Sequence, residues 1–183
     1  MARLPYVDPA TAPPKVQEAL AGLAVPLNIF RMVAHAETNF RPFLRFGGSI
    51  LAQQQLSPRL RELAILRVAN LSHARYEWVQ HIPIGKAAGL TDAQVAALEA
   101  GNATADCFDA RDQLVLRFTD ELVRNVRASD GTFAEMSRAF PPREIVELIL
   151  AVGFYMTVAR LLETTAVDIE AAAGTKIVDA MKR

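Results

Sequence analysis

ELAILRVANLSHARYEWVQH, residues 62–81, is the stretch on which the reading of this chain turns. On a helix starting near Pro58, Glu62 shares a face with Ile65, Leu66 and Ala69, because positions three, four and seven apart line up at 3.6 residues per turn. That face is apolar except for Glu62. On the following helix Glu77 and His81 are four apart and therefore neighbours, with Gly85 and Ala88 continuing the same face as small residues. Two carboxylates and an imidazole are thus expected to converge on one cleft. The same spacing also describes a solvated helix pair worth about 0.3 kcal/mol, and an early glutamate suits the helix dipole.

Working outward, apolar residues recur at helical spacing, and no run alternates strictly with β-branched enrichment between turn residues. The expected fold class is all-α, a single all-helical domain over residues 1–183. Pro13 and Pro14 open a first short helix to residue 23, Pro26 starts a second over 27–35, and a third runs over about 39–54. Gly47 and Gly48 either loosen that third helix or admit a close neighbour. Ser57 followed by Pro58 reads as an N-cap with proline at the first helical position, starting a helix to about Leu71. Residues 72–75 connect to the next helix, which ends near Gly89. Pro83 lies inside it and removes one backbone hydrogen bond just beyond His81, which bends the axis toward a pocket or simply around a core.

Thr91 with Gln94, and Thr132 with Glu135, have capping-box spacing. A long amphipathic helix is expected over about 110–126, a last major one over about 142–163, and a short helix with a frayed end after Gly174. RELAILRVA at Arg61 echoes VELILAVG at Val146, which suits either two related hairpins or chance likeness between apolar helices.

Composition bounds the function. Of 183 residues 51% are hydrophobic, enough for a sizeable core. Lys plus Arg and Asp plus Glu number 20 each, for a net charge of zero. That balance gives no support to a nucleic-acid partner or a polybasic membrane anchor. The apolar run near Glu147 and Tyr155 reads as too short and interrupted for a membrane span, and MARLPYVDPA lacks a signal-peptide pattern, so a cytoplasmic protein is expected. The single Cys107 excludes a two-thiol redox cycle within one chain and reads as structural.

The helix bearing Glu62, the short connection, the helix bearing His81, and the later ELILAVGFYMTVARLL helix together resemble the carboxymuconolactone decarboxylase and alkyl hydroperoxidase D (AhpD) superfamily, over about residues 40–165. The resemblance implies an AhpD-like helical bundle with a central helical hairpin, assembled as a trimer or hexamer. It also implies a glutamate, a Cys-x-x-Cys pair and a histidine in that order. Glu62 and His81 match the glutamate and the histidine, whereas Ala74 and Glu77 stand where the two cysteines would be. Thiol-based peroxide reduction, the antioxidant reading of the family, needs one thiolate to attack and a second to resolve the sulfenic acid, so it does not transfer.

Acid–base chemistry on a small carboxylated or lactone metabolite, without a cofactor, is the expectation that remains, beside that of a non-catalytic oligomeric scaffold that binds small molecules. Loss of carbon dioxide leaves electron density on a conjugated carbonyl, which a nearby donor stabilises and a general acid then reprotonates. An unperturbed imidazole changes charge near neutrality, so His81 is the first candidate for that acid, with Glu62 or Glu77 as its carboxylate neighbour; a desolvated Glu62 could itself hold the proton. Tyr76 and Tyr155 are candidate hydroxyl donors and Arg160 a candidate carboxylate clamp. Their alternatives are buried rings with satisfied hydroxyls and a pairing of Arg160 with Glu147 or Glu163. Trp78 reads as a core or interface anchor. With His35 and His73 elsewhere and no His-x-x-x-His repeat, no metal site is expected. The apolar short helix around Ile29 and Val33 is a candidate for subunit contacts.

Overall fold

Helix α4 (Pro58–Leu71) is the axis of the molecule, and residues 60–69 are buried without a break. A helix buried on every side must be apolar all round or pair its charges. This one does both. Leu60, Leu63, Ala64, Ile65, Leu66 and Val68 enter the core, while Arg61, Glu62 and Arg67 are buried as ions.

The computed structural model describes residues 1–181, in which every regular element is a helix. Around α4 lie α1 (Pro14–Ala21), α2 (Asn28–Val33), α3 (Glu37–Gln53), α5 (Arg75–Ala87), α6 (Asp92–Glu99), α7 (Ala110–Asn125), α8 (Asp130–Ala139), α9 (Pro142–Thr165) and α10 (Lys176–Met181). The expected frayed end falls at residues 182–183, outside the described residues. Helices α5, α7 and α9 pack directly on α4. The all-α bundle with a central helical hairpin, α4–α5, is the architecture read from the sequence.

Two arginine–carboxylate pairs set the register of α7 on α4. The Arg59 Nη1 donates to Asp112 Oδ1 at 2.7 Å, and the Arg67 Nε donates to Asp120 Oδ1 at 2.6 Å. Both pairs span the same sequence separation of 53 residues, so the two helices run parallel. Each is bidentate, the geometry in which a guanidinium–carboxylate pair is most directional.

Gly85 controls the α4–α5 approach. A Cβ there would stand 2.9 Å from the Leu90 Cδ1 and 3.3 Å from the Leu66 Cδ1. Lacking one, α5 lies close enough to α4 for the Glu62 Cβ to be within 3.6 Å of that position. Gly47 does the same for α3 and α9, where an added Cβ would meet the Phe154 ring at 2.9 Å. Close packing, rather than loosening, is therefore what glycine contributes to α3.

Several expectations need correction. Thr132 is not a helix cap: α8 starts earlier because the Ser129 hydroxyl accepts from Thr132 N, while Glu135 pairs with Arg117. The Thr91–Gln94 box forms in full. At Ser57 the side chain makes no capping bond, and Pro58 alone marks the start of α4. Ile29, Phe30, Met32 and Val33 do not form a leftover apolar face, since all four are buried in the core of the same chain. Helix α9 has 24 residues, and an 18-residue stretch of it has a mean hydropathy of 1.9, so by length and composition it could cross a membrane, contrary to the shorter run read from the sequence. It packs on α4, with Leu148, Ala151, Val152 and Leu162 in the core, as an interior helix does.

Replacement of Gly85 by Val is expected to destabilise the chain by about 1–3 kcal/mol, because the new side chain overpacks the hairpin. Thermal unfolding of the variant against wild type checks this, and an unchanged midpoint would show that the helices can part without cost.

Candidate functional site

Helix α5 presents Tyr76, Glu77, Gln80, His81 and Ile84 to a cavity of about 80 Å³. Helices α2, α3 and α9 complete the wall, with Ile177 of α10. Most of that wall is apolar: Ile29, Phe43, Leu51, Phe154 and Val158 are representative. Polar groups are few and come mainly from one face of one helix, as the four-residue spacing of Glu77 and His81 requires.

Glu62 stands behind that face, fully buried on α4. The His81 Nδ1 lies 2.8 Å from Glu62 Oε2, and the Arg61 Nε donates to the other carboxylate oxygen at 3.2 Å. A carboxylate can only accept, so Nδ1 carries the hydrogen and donates, which leaves Nε2 with its lone pair in the neutral ring. The Tyr155 ring stands edge-on to the imidazole, with centroids 4.8 Å apart. His81 is thus held on two sides.

Glu77 has the opposite environment. It is 1% exposed, and neither carboxyl oxygen has a hydrogen-bond partner among the described residues. Burial pushes its carboxyl well above the usual carboxylate range, and the negative charges of Glu62 and Glu163 push the same way. Its surroundings thus favour the neutral form, which can donate, over the carboxylate. Burial also raises the Tyr155 phenol, with Glu62 and Glu77 adding to the effect and Arg61 opposing it.

Glu62, Glu77 and His81, which the spacing placed on one cleft, come together, and α9 brings Tyr155 to them. Tyr76 lines the cavity, but its hydroxyl is committed to Glu170 in the segment after α9. Gln80 pins the same segment: its Nε2 donates to the Glu170 carbonyl at 3.3 Å, and its Oε1 accepts from Ala173 N at 3.0 Å. Arg160 does not reach the cavity. It is exposed on the outer side of α9, donating from Nη1 to the Met156 carbonyl. Its place was misread because a single arginine in an apolar run carries no mark of which side of the helix meets solvent.

Arg61 was missed in the sequence reading. The sequence reading gave a role to Glu62 alone, and only the all-round burial of α4 makes Arg61 its interior partner. His35 bonds the Pro5 carbonyl and His73 sits in the α4–α5 connection with φ of 53°, both apart from His81. Among the described residues no three His, Cys, Asp or Glu side chains group as metal ligands.

The Carboxymuconolactone decarboxylase family model matches residues 38–121, which include Glu62, Glu77 and His81. An uncharacterized peroxidase-related protein from Silicibacter sp. TM1040 superposes with a TM-score of 0.77 at 20% identity, over 93% of this chain and 92% of its own. Part of the chain is thus similar to the carboxymuconolactone decarboxylase family, and its helical bundle shares the AhpD-like fold. An uncharacterized peroxidase-related protein with an alkylhydroperoxidase AhpD core, from Ralstonia eutropha JMP134, gives 0.78 at 16% identity, covering 100% of this chain and 97% of that one. A protein of unknown function from Agrobacterium tumefaciens gives 0.68 at 17%, covering 75% and 95%. At these identities the likeness is one of fold. No curated protein matches the chain.

The chain has one cysteine and therefore no Cys-x-x-Cys pair: Cys107 is half-buried outside the cavity, while Ala74 and Glu77 are buried.

Because Glu77 binds its proton more tightly in the folded chain than in the unfolded one, it costs stability as pH rises from the ordinary carboxylate range toward its raised value. Glu77→Gln removes that titration. The stability of the variant relative to wild type is expected to grow by up to about 1.4 kcal/mol per pH unit across that window, and to level off at acid pH. Denaturant unfolding of both proteins at a series of pH values checks this, and a pH-independent difference would show that Glu77 titrates normally.

Proposed function

We propose that the chain is a cofactor-independent acid–base enzyme that moves a proton on a small lactone-like or carbonyl-bearing metabolite, with decarboxylation as one form of the same chemistry. The observation that carries this reading is the pairing, on one cavity wall, of a histidine oriented by a buried carboxylate with a second carboxyl kept neutral by its surroundings. A carboxyl whose charged form is disfavoured by burial, next to a histidine that a carboxylate orients, offers a donor and a base side by side.

In this reading the His81 Nε2 takes a proton from a carbon next to the carbonyl. The C–H electron pair moves into the carbonyl system, and the resulting enolate oxygen accepts a hydrogen bond from the protonated Glu77. The imidazolium, stabilised by Glu62, then returns the proton to the same or a conjugated carbon. In a decarboxylation the departing carbon dioxide leaves the same enolate, and His81, which must then enter the step already protonated from solvent, delivers the proton that replaces it. No electrons are exchanged with a cofactor in either case, and the oxyanion donor is worth about 10²–10³ in rate.

The test is deuterium incorporation from heavy water into an unsaturated γ-lactone, followed by proton NMR, with carbon dioxide release from 4-carboxymuconolactone measured alongside. His81→Ala, if folded, is expected to lower the rate by about 10²–10⁴. An inert wild-type protein, or a rate untouched by His81→Ala, would leave a binding scaffold without this chemistry.

We also propose that copies of the chain associate, since Val146, Ile149 and Leu150 leave an exposed apolar stripe on α9. Light scattering of wild type and Leu150→Glu checks it: an assembled wild type and a dissociated variant are expected, and a monomeric wild type would count against it.

A further inference from the structure

The cavity holds an unusual balance of charge. Among the described residues that line it there is no lysine or arginine, and its ionisable groups are Glu77, His81 and the two tyrosines. The cation nearest the site, Arg61, is tied to Glu62 behind the histidine, and Arg160 lies outside. The remaining charges that act on Glu77 from neighbouring helices are negative, from Glu62 on α4 and Glu163 on α9. An anion entering this space loses its hydration and meets carboxyl groups, with only His81 in its protonated form to offset the cost.

Glu77 supplies what a neutral ligand needs instead. Both of its oxygens are buried and unpartnered, in a wall that is otherwise apolar. A buried polar group without a partner is an open position for a ligand atom, since pairing it recovers the desolvation already incurred. The Tyr76 and Gln80 side chains cannot compete for that role, because both are spent on holding the segment around Glu170. The volume is about 80 Å³, roughly half of the ~150 Å³ at which an apolar cavity admits benzene, which favours a compact ligand.

We propose that this cavity takes small uncharged molecules with an apolar body and one carbonyl-type oxygen, hydrogen-bonded by the Glu77 carboxyl, and rejects their carboxylate counterparts. The substrate class of the acid–base reading is thereby narrowed to neutral lactones and ketones, which keeps its proton-transfer form and sets its decarboxylation form aside. The inference rests on that reading only for the identity of the site, because recognition needs no turnover.

γ-Butyrolactone and its hydrolysed form, 4-hydroxybutanoate, make a matched pair that differs in charge, and cyclopentane is the ring without an acceptor. Binding of each is followed by the methyl shifts of Ile29, Ile84 and Ile177, which line the cavity, in wild type, Glu77→Gln and Glu77→Leu. The lactone is expected to bind at least tenfold more tightly than the carboxylate. Glu77→Leu should weaken the lactone roughly tenfold while leaving cyclopentane unchanged, and Glu77→Gln, which still donates, should stay within about threefold of wild type. Equal or tighter binding of the carboxylate overturns the inference, as does a lactone affinity indifferent to Glu77→Leu or an absence of lactone shifts in wild type. Where Glu77→Leu fails to fold, the wild-type lactone–carboxylate comparison decides alone. Lactone preference without deuterium exchange would uphold the ligand class and sink the enzymatic reading, whereas exchange on a carboxylated substrate alone would do the reverse.

Discussion

Everything in this molecule follows from burying α4 on all sides. A helix that carries Arg61, Glu62 and Arg67 into an interior must meet each charge with a partner or lose several kcal/mol for every ion left alone. Arg67 finds Asp120 on α7, and Glu62 finds His81 on α5 with Arg61 beside it. These demands specify which helices surround α4 and in what register. The hydrophobic contacts supply the driving force for burial, while the ion pairs select one arrangement among the many that would bury similar area.

The two glutamates of the site show how one side-chain type takes two roles. Glu62 receives hydrogen bonds from a guanidinium and an imidazole and serves to orient the ring. Glu77 sits fifteen positions on, one turn before that imidazole, and receives none. The first therefore stabilises charge, and the second is held away from it. This contrast is the basis of the acid–base reading, and it exists only because α5 turns Glu77 into an apolar wall instead of toward Arg61.

The segment after α9 adds a second layer. Tyr76, Gln80 and Asn28 hold Glu170, Ala173 and Asp168 across the mouth of the α2–α5 wall, and Ile177 then reaches the cavity. Two of the polar side chains that face the cavity from α5 are thus structural, and this is why so few groups remain free for a ligand.

Much of this could be read from the chain alone. The 3.6-residue periodicity located the longer helices of the described residues closely, and Pro58, Thr91 with Gln94, and Pro142 marked starts that depend on a few neighbouring residues. The grouping of Glu62, Glu77 and His81 was legible for the same reason, since it rests on short-range spacing along two consecutive helices. The start of α8 was misplaced because Ser129, Thr132 and Glu135 offer competing caps, and the choice depends on Glu121 from α7. Sequence determined the helices, the absence of a thiol pair and the identity of the candidate groups, because each is a property of neighbouring positions. Tertiary structure alone decided that Arg160 faces out, that Tyr76 is spent on Glu170, and that Glu77 is unpartnered while Glu62 is paired. Those outcomes depend on which side of a helix meets another far along the chain, and local spacing carries no information about that contact.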